Sequence, residues 1–123
     1  MATVDQIKIR AAQKIGILPA GDALSDEDST LLGGVYETLH ALLLDQGLVT
    51  WSDPTGEVPD EVSEAMVSML ASETCEDYGC DAAKVQRLQT AAWIDLPGKP
   101  SARAWLARFA AVDYVPADEA VDY

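Results

Sequence analysis

The chain has 123 residues, of which 49% are apolar, and 21 acids against 8 bases give it a formal net charge of −13. That length makes one domain with a core of its own, and no apolar run reaches the roughly 20 residues of a membrane span. Tight binding to nucleic acid or to an anionic membrane draws its affinity from lysine and arginine, so the composition argues against both.

The bases are unevenly placed. Lys8, Arg10 and Lys14 lie in the first segment, and Lys84, Arg87, Lys99, Arg103 and Arg108 follow Gly79. Between Lys14 and Lys84 there is no lysine or arginine, while acids accumulate from Asp22 to Asp81. The middle of the molecule is therefore expected to carry an unneutralised acid surface; a merely solvated face is the plainer reading of the same pattern. No cationic-then-apolar segment opens the chain, so no signal peptide and synthesis in the cytoplasm are expected. Cys75 and Cys80 are too few for a disulfide framework and read as buried or idle thiols.

Thr3 opens a first helix, with Gln6 completing a capping box and Val4, Ile7, Ala11 and Ile15 as its buried stripe. Gly16 ends it, and Ile17 and Leu18 are expected to plug the closed end of a helical hairpin. The second helix, from Ser25 to Gly47, has the longest periodic pattern and is expected to organise the rest. Leu31, Leu32, Val35, Leu39, Leu42 and Leu43 form its apolar face, with Glu37, His40 and Asp45 on the other. Ser25 caps it, and Asp26, Glu27 and Asp28 sit at the positive end of its dipole. The Gly33-Gly34 pair costs about 1 kcal/mol per glycine inside a helix, which points to close approach of another helix or to a bend.

Leu48 to Trp51 are β-prone, and Ser52-Asp53-Pro54-Thr55-Gly56 is a turn, so residues 48–58 form a short hairpin or an extended loop. A lone hairpin is marginal in water, so this segment leans on its own helices or on a neighbouring chain. Pro59-Asp60-Glu61 starts a third helix with Val62, Ala65, Met66, Met69 and Leu70 inward. Asp81 caps a fourth, with Val85, Leu88, Ala91 and Ala92 inward, stopped by Pro97-Gly98. Residues 101–109 are a short fifth helix grouping Trp105, Leu106 and Phe109 beside Arg103 and Arg108. The last residues, holding Tyr114, Val115, Pro116 and Tyr123, have no helical period and read as a docking tail or as terminal disorder. The expected fold is all-α. It comprises a four-helix core bundle over residues 1–98, interrupted by the loop or hairpin between helices 2 and 3, and a C-terminal docking helix and extended tail over 99–123.

No motif carries catalysis. There is no phosphate-cradling glycine loop, no paired-histidine metal motif and no nucleophile elbow, and His40 has no recognisable serine or cysteine partner. Glu61 with Glu64, and Glu73 with Asp77, are spaced as solvent-facing helix acids rather than an acid–base pair. The chain is read as a non-enzyme without cofactor or metal.

The order of these signals resembles the small helical head-to-tail connector proteins of tailed bacteriophages, also called adaptor or head-completion proteins. The residues that carry the likeness are Arg10-Ala11-Ala12-Gln13-Lys14-Ile15-Gly16-Ile17-Leu18, Gly21, Ser25 and the leucine-rich helix ending Gln46-Gly47-Leu48. Val58-Pro59-Asp60-Glu61, Met69-Leu70-Ala71 and Tyr78-Gly79 continue it, so that it spans about residues 3–95. The resemblance implies a virion protein at the head–tail junction, repeated as a ring under the portal, usually in twelve copies. Its extended C-terminal tail docks on the portal, a tail or nozzle protein lies below, and a central channel passes the genome.

On that reading Trp105, Phe109, Tyr114, Val115, Pro116 and Tyr123 form the portal-docking segment. Val49, Trp51 and Pro54 lie on a loop reaching a neighbouring copy, and Glu37, Asp45, Asp53 and Glu57 face the channel. An acid-lined wall lets a polyanion slide past. Copies each near −13 repel, with screening over about 8 Å at physiological salt, so isolated subunits are expected to stay monomeric at low salt. Two other readings share the sequence: a small acidic DNA mimic that inhibits a nucleic-acid-binding protein, and a structural subunit of another ring in the same particle.

Overall fold

The computed structural model describes residues 1–113, and over them the protein is all-helical, with five helices and no strand. Helix α1 spans Val4–Ile15, α2 Asp26–Asp45, α3 Asp60–Thr74, α4 Ala82–Trp93 and α5 Ala102–Asp113. The helix starts follow the local chemistry. The Thr3 hydroxyl accepts the Gln6 N–H at 3.1 Å while the Gln6 side chain accepts the Thr3 N–H at 2.9 Å, a reciprocal box that satisfies two otherwise orphaned donors. Ser25 accepts from the Asp28 amide at 3.2 Å, and Asp81 from the Lys84 amide at 2.8 Å. Gly16 closes α1 in the left-handed conformation, φ 89°, and its N–H reaches the carbonyls of Ala12 and Gln13.

The organising element is α3, not α2. Helix α3 packs against all four others, whereas α2 touches only α1 and α3. The reason lies in composition: Val62, Ala65, Met66, Val67, Met69, Leu70 and Ala71 are all buried, so α3 is apolar on nearly every side and has to be surrounded. Its polar residues bond inward to its own backbone, Ser72 to the Met69 carbonyl at 2.7 Å and Thr74 to the Leu70 carbonyl at 2.8 Å. Length and periodicity single out α2 in the sequence, but a long helix with one polar side belongs at a margin.

The buried face of α2 is also rotated from the expected one. Leu32, Tyr36, Leu39, His40 and Leu43 are buried, Val35 is half-buried, and Leu31 and Leu42 are exposed at 42% and 45%. Tyr36 and His40 complete the core because the loop after α2 folds over them and supplies a partner for the imidazole. Neither glycine of the pair makes a close helix approach within the chain. A Cβ at Gly33 would lie 3.7 Å from the Lys8 ammonium, an ordinary contact, and one at Gly34 would meet nothing.

On α4, Leu88 and Ala92 are buried and Val85 half-buried, but Ala91, expected inward, is exposed. Helix α5 is a full core member as long as α1: Ala102, Leu106 and Ala110 are buried against α3 and α4. The segment 46–59 is an extended loop rather than a hairpin. Leu48, Val49 and Val58 are buried, and Val58 pairs antiparallel with Ala2 through hydrogen bonds of 3.0 and 2.7 Å. The loop thus leans on its own helices. Leu18 is buried and Ile17 half-buried at the α1–α2 turn, filling the closed end of that hairpin as expected.

Candidate functional site

The loop after α2 folds back on that helix and brings Trp51, Asp53 and Pro54 of the expected site residues near Glu37. His40 Nε2 lies 2.8 Å from the Trp51 carbonyl oxygen, and because a carbonyl only accepts, Nε2 carries the hydrogen. The imidazole stacks on Tyr36, 6.2 Å between ring centroids, and meets the Trp51 ring at a tilt of 49° and 5.8 Å. This clasp fixes the loop on α2. Tyr36 Oη and Trp51 Nε1 are both buried without a hydrogen-bond partner among the described residues. Burial is the main cause that pushes the Tyr36 hydroxyl above its ordinary value, with the Trp51 indole opposing it.

Beyond the clasp, Asp53 accepts the Thr55 amide at 2.9 Å and the Thr55 hydroxyl at 2.8 Å. Those two bonds hold its carboxyl below the usual carboxylate range. Pro54 and Thr55 then roof a shallow groove of about 340 Å³ whose other walls include Asp5, Lys8, Gly33 and Glu37. Glu37 lines this groove, Asp53 adjoins its roof and Glu57 follows further along the loop; all three are exposed and form no ion pair among the described residues. Asp45 lies about two helical turns beyond Glu37, at the C-terminal end of α2.

The acid stretch is not wholly bare of cations. Helix α1 runs beside it and pairs Arg10 with Glu64, while the N-terminal amine meets Asp60 at 3.1 Å. Lys8 is buried, bonds the Ser29 hydroxyl at 2.8 Å and meets Asp5 at 3.1 Å. The expectation of an unneutralised middle therefore fails at Glu64 and Asp60, because residues distant in sequence are brought alongside by the α1·α3 packing. Lys84, at the far end, bonds the Ile15 carbonyl at 2.8 Å and so satisfies the negative end of α1.

Of the loop residues expected to reach a neighbour, Pro54 is on the surface roof, Trp51 is half-buried and Val49 is a core residue. In α5, Trp105 and Leu106 fall on different faces: Leu106 is fully buried, Phe109 half-buried, and Trp105 is 47% exposed with the Arg108 guanidinium 5.0 Å from its ring centre. Consecutive helical residues point about 100° apart, so Trp105 and Leu106 separate, while Phe109, four residues from one and three from the other, lies between them. Tyr114, Val115, Pro116 and Tyr123 lie outside the described residues.

Among the described residues no three His, Cys, Asp or Glu side chains converge as a metal site needs, and no helix is long and apolar enough to cross a membrane. The Cys75 thiol is pushed up to about 11, first by burial and then by neighbouring Cys80, which leaves it protonated and a poor nucleophile near neutral pH.

Two exposed apolar surfaces were not anticipated. One is an apolar face of α2, where the exposed Leu31 and Leu42 form a ridge beside an open hollow of about 610 Å³ that Val35, Thr38 and Glu73 also line. The other is a groove of about 500 Å³ formed by α4 and the turn after it, including Ala91, Ile94 and Leu96 with Arg87 and Lys99. The ridge was legible as an apolar arc on α2 too wide for one interface. The groove has no such signal, because Leu96 joins α4 only through the turn at Pro97-Gly98.

Compared with known proteins, the chain matches no family model, no curated protein and no solved structure.

Proposed function

We propose that this chain is a structural subunit of a tailed-bacteriophage head-to-tail connector. Several copies close into a ring beneath the portal, hold it through their C-terminal segments, and surround a channel for the genome, with a tail or nozzle protein below. The observation that carries the reading is the loop face of α2, where Glu37, Asp53 and Glu57 stand exposed without a paired cation among the described residues. A surface of that kind repels a passing polyanion and offers it nothing to grip. The aromatic clasp of Tyr36, His40 and Trp51 supports the reading further, because it holds this face rigid against the helix.

Asp45, at the C-terminal end of α2, serves a contact between copies rather than the channel wall. The all-helical order, with Gly16 and Gly47 at positive φ after α1 and α2, supports the reading. On this account the chain has no catalytic role.

Binding to purified portal rings tests the proposal. The full chain is expected to bind, and a chain cut after Asp113 is expected to lose binding. Retention by a basic nucleic-acid-binding enzyme, unaffected by that cut, would contradict the proposal and favour a DNA mimic.

A further inference from the structure

The two unanticipated surfaces have complementary chemistry. On α2, Leu31, Val35, Thr38, Leu42 and Asp45 follow one another at intervals of four, three, four and three, the register of a helix-packing seam. Leu31 and Leu42 are exposed at 42% and 45%, and Gly34 beside them leaves open space where a side chain would stand. The rim of this seam is acidic: Glu73 flanks it and Asp45 ends it. On α4, Ala83, Arg87, Thr90 and Ile94 follow the same four, three, four register. Ile94 and Leu96 are exposed at 55% and 47%, Ala83 and Ala91 keep the surface low, and Arg87 and Lys99 make its rim basic. Helices α2 and α4 do not touch each other; each packs on α3. One chain therefore cannot bring its own ridge to its own groove.

We propose that the α2 face of one copy, led by Leu31 and Leu42, packs on the α4 groove of a second copy, with Glu73 and Asp45 facing Arg87 and Lys99. The occupant is another copy of this chain because both halves of the contact, apolar and charged, are carried by it. An α2·α2 pairing would instead press Glu73 and Asp45 against their own likenesses. A contact between two different patches is heterologous, so it propagates and closes into a ring when its rotation permits. Closure into a connector ring rests on the function proposed above; the pairwise contact does not. Long-range repulsion between chains of charge −13 opposes the contact at low salt. Salt weakens that repulsion more than it weakens partly buried pairs, so association rises at intermediate ionic strength.

Charge reversal tests this on the full chain. One variant reverses the groove (Arg87→Glu with Lys99→Glu), the other the ridge (Asp45→Lys with Glu73→Lys), and all four positions are exposed, so circular dichroism should stay at wild type. In sedimentation at about 0.5 M salt the wild type is expected to associate, and each variant alone to associate at least about tenfold more weakly. An equimolar mixture of the two is expected to recover association, since each then offers the face the other lacks. Three results would overturn the contact: a wild type monomeric at every ionic strength, either variant associating as well as wild type, or a mixture that does not recover. Reversed variants that still enter rings in an assembled particle would overturn this contact while leaving the connector reading in place.

Discussion

His40 Nε2 donates to the Trp51 carbonyl at 2.8 Å, and through this bond α2 holds the acidic loop that follows it. The bond joins a side chain on the long helix to a backbone group eleven residues on, so it sets where the loop lies as well as how firmly. His40→Ala leaves a buried carbonyl without its donor and a cavity between Tyr36 and Trp51. The expected loss is about 1–3 kcal/mol for the orphaned group, with more from the cavity. Chemical denaturation measures it, and limited proteolysis at residues 52–56 should accelerate in parallel.

The central position of α3 separates two kinds of leucine and methionine. Met66→Ala or Leu70→Ala removes a fully buried side chain and is expected to cost about 2–5 kcal/mol. Leu31→Ala and Leu42→Ala, on the exposed ridge, should change stability by about 0.5 kcal/mol or less. Denaturant midpoints for the four variants check both halves of the contrast.

Alkaline pH should loosen the α2–α3 junction. The Tyr78 hydroxyl donates to Asp28 at 2.8 Å, and burial first, then that bond and the Asp28 charge, push its pKa up to about 12 from an ordinary 10.0. The native state holds this proton more tightly than the unfolded chain. The stabilisation is therefore complete below the ordinary value and is lost as pH rises from there through about 12. Tyr36, raised by its burial, adds loss in the same direction. The Cys75 thiol, raised to about 11, contributes too, so denaturation midpoints should fall over this range and Tyr78→Phe should flatten the fall by removing one of the three groups.

Acid should loosen the start of α5. The Asp95 carboxylate accepts the Ser101 amide at 2.8 Å, which holds its carboxyl below the usual range, and Ser101 in turn accepts the Ala104 amide at 3.2 Å. Its contribution is present above the ordinary carboxylate value and disappears as pH falls through the lowered one. Hydrogen-exchange protection of residues 102–106 should drop on acidification and be low at every pH in Asp95→Ala. Ser101→Ala, which loses the cap itself, should cost about 0.5–2 kcal/mol.

What the sequence made legible was local: caps at Thr3, Ser25 and Asp81, stops at Gly16 and Gly47, and the inward stripe of α3. These depend on neighbours within a turn or two, and their chemistry is written in adjacent residues. What it concealed was which helix lies in the middle, and how far the apolar arc of α2 extends past one interface. His40 illustrates the difficulty. As a lone histidine among acids it reads as a polar-face residue, and only the return of the loop to α2 supplies the carbonyl that lets it be buried. Arg10 shows the converse, since a cation that looks remote from Glu64 along the chain becomes its partner once α1 lies on α3. The acids were legible as charge, but their placement was not: Glu37 lines a groove under Pro54 and Thr55, while Asp60 and Glu64 meet cations brought by the N-terminal segment.

The most direct measurement is electron cryo-microscopy of the particles made in cells that produce this chain. The expected density is a ring of copies between portal and tail, with Glu37, Asp53 and Glu57 turned to the axis and no contact to the DNA passing through. A chain missing from that junction, or one that holds duplex DNA through this loop face, would contradict the account.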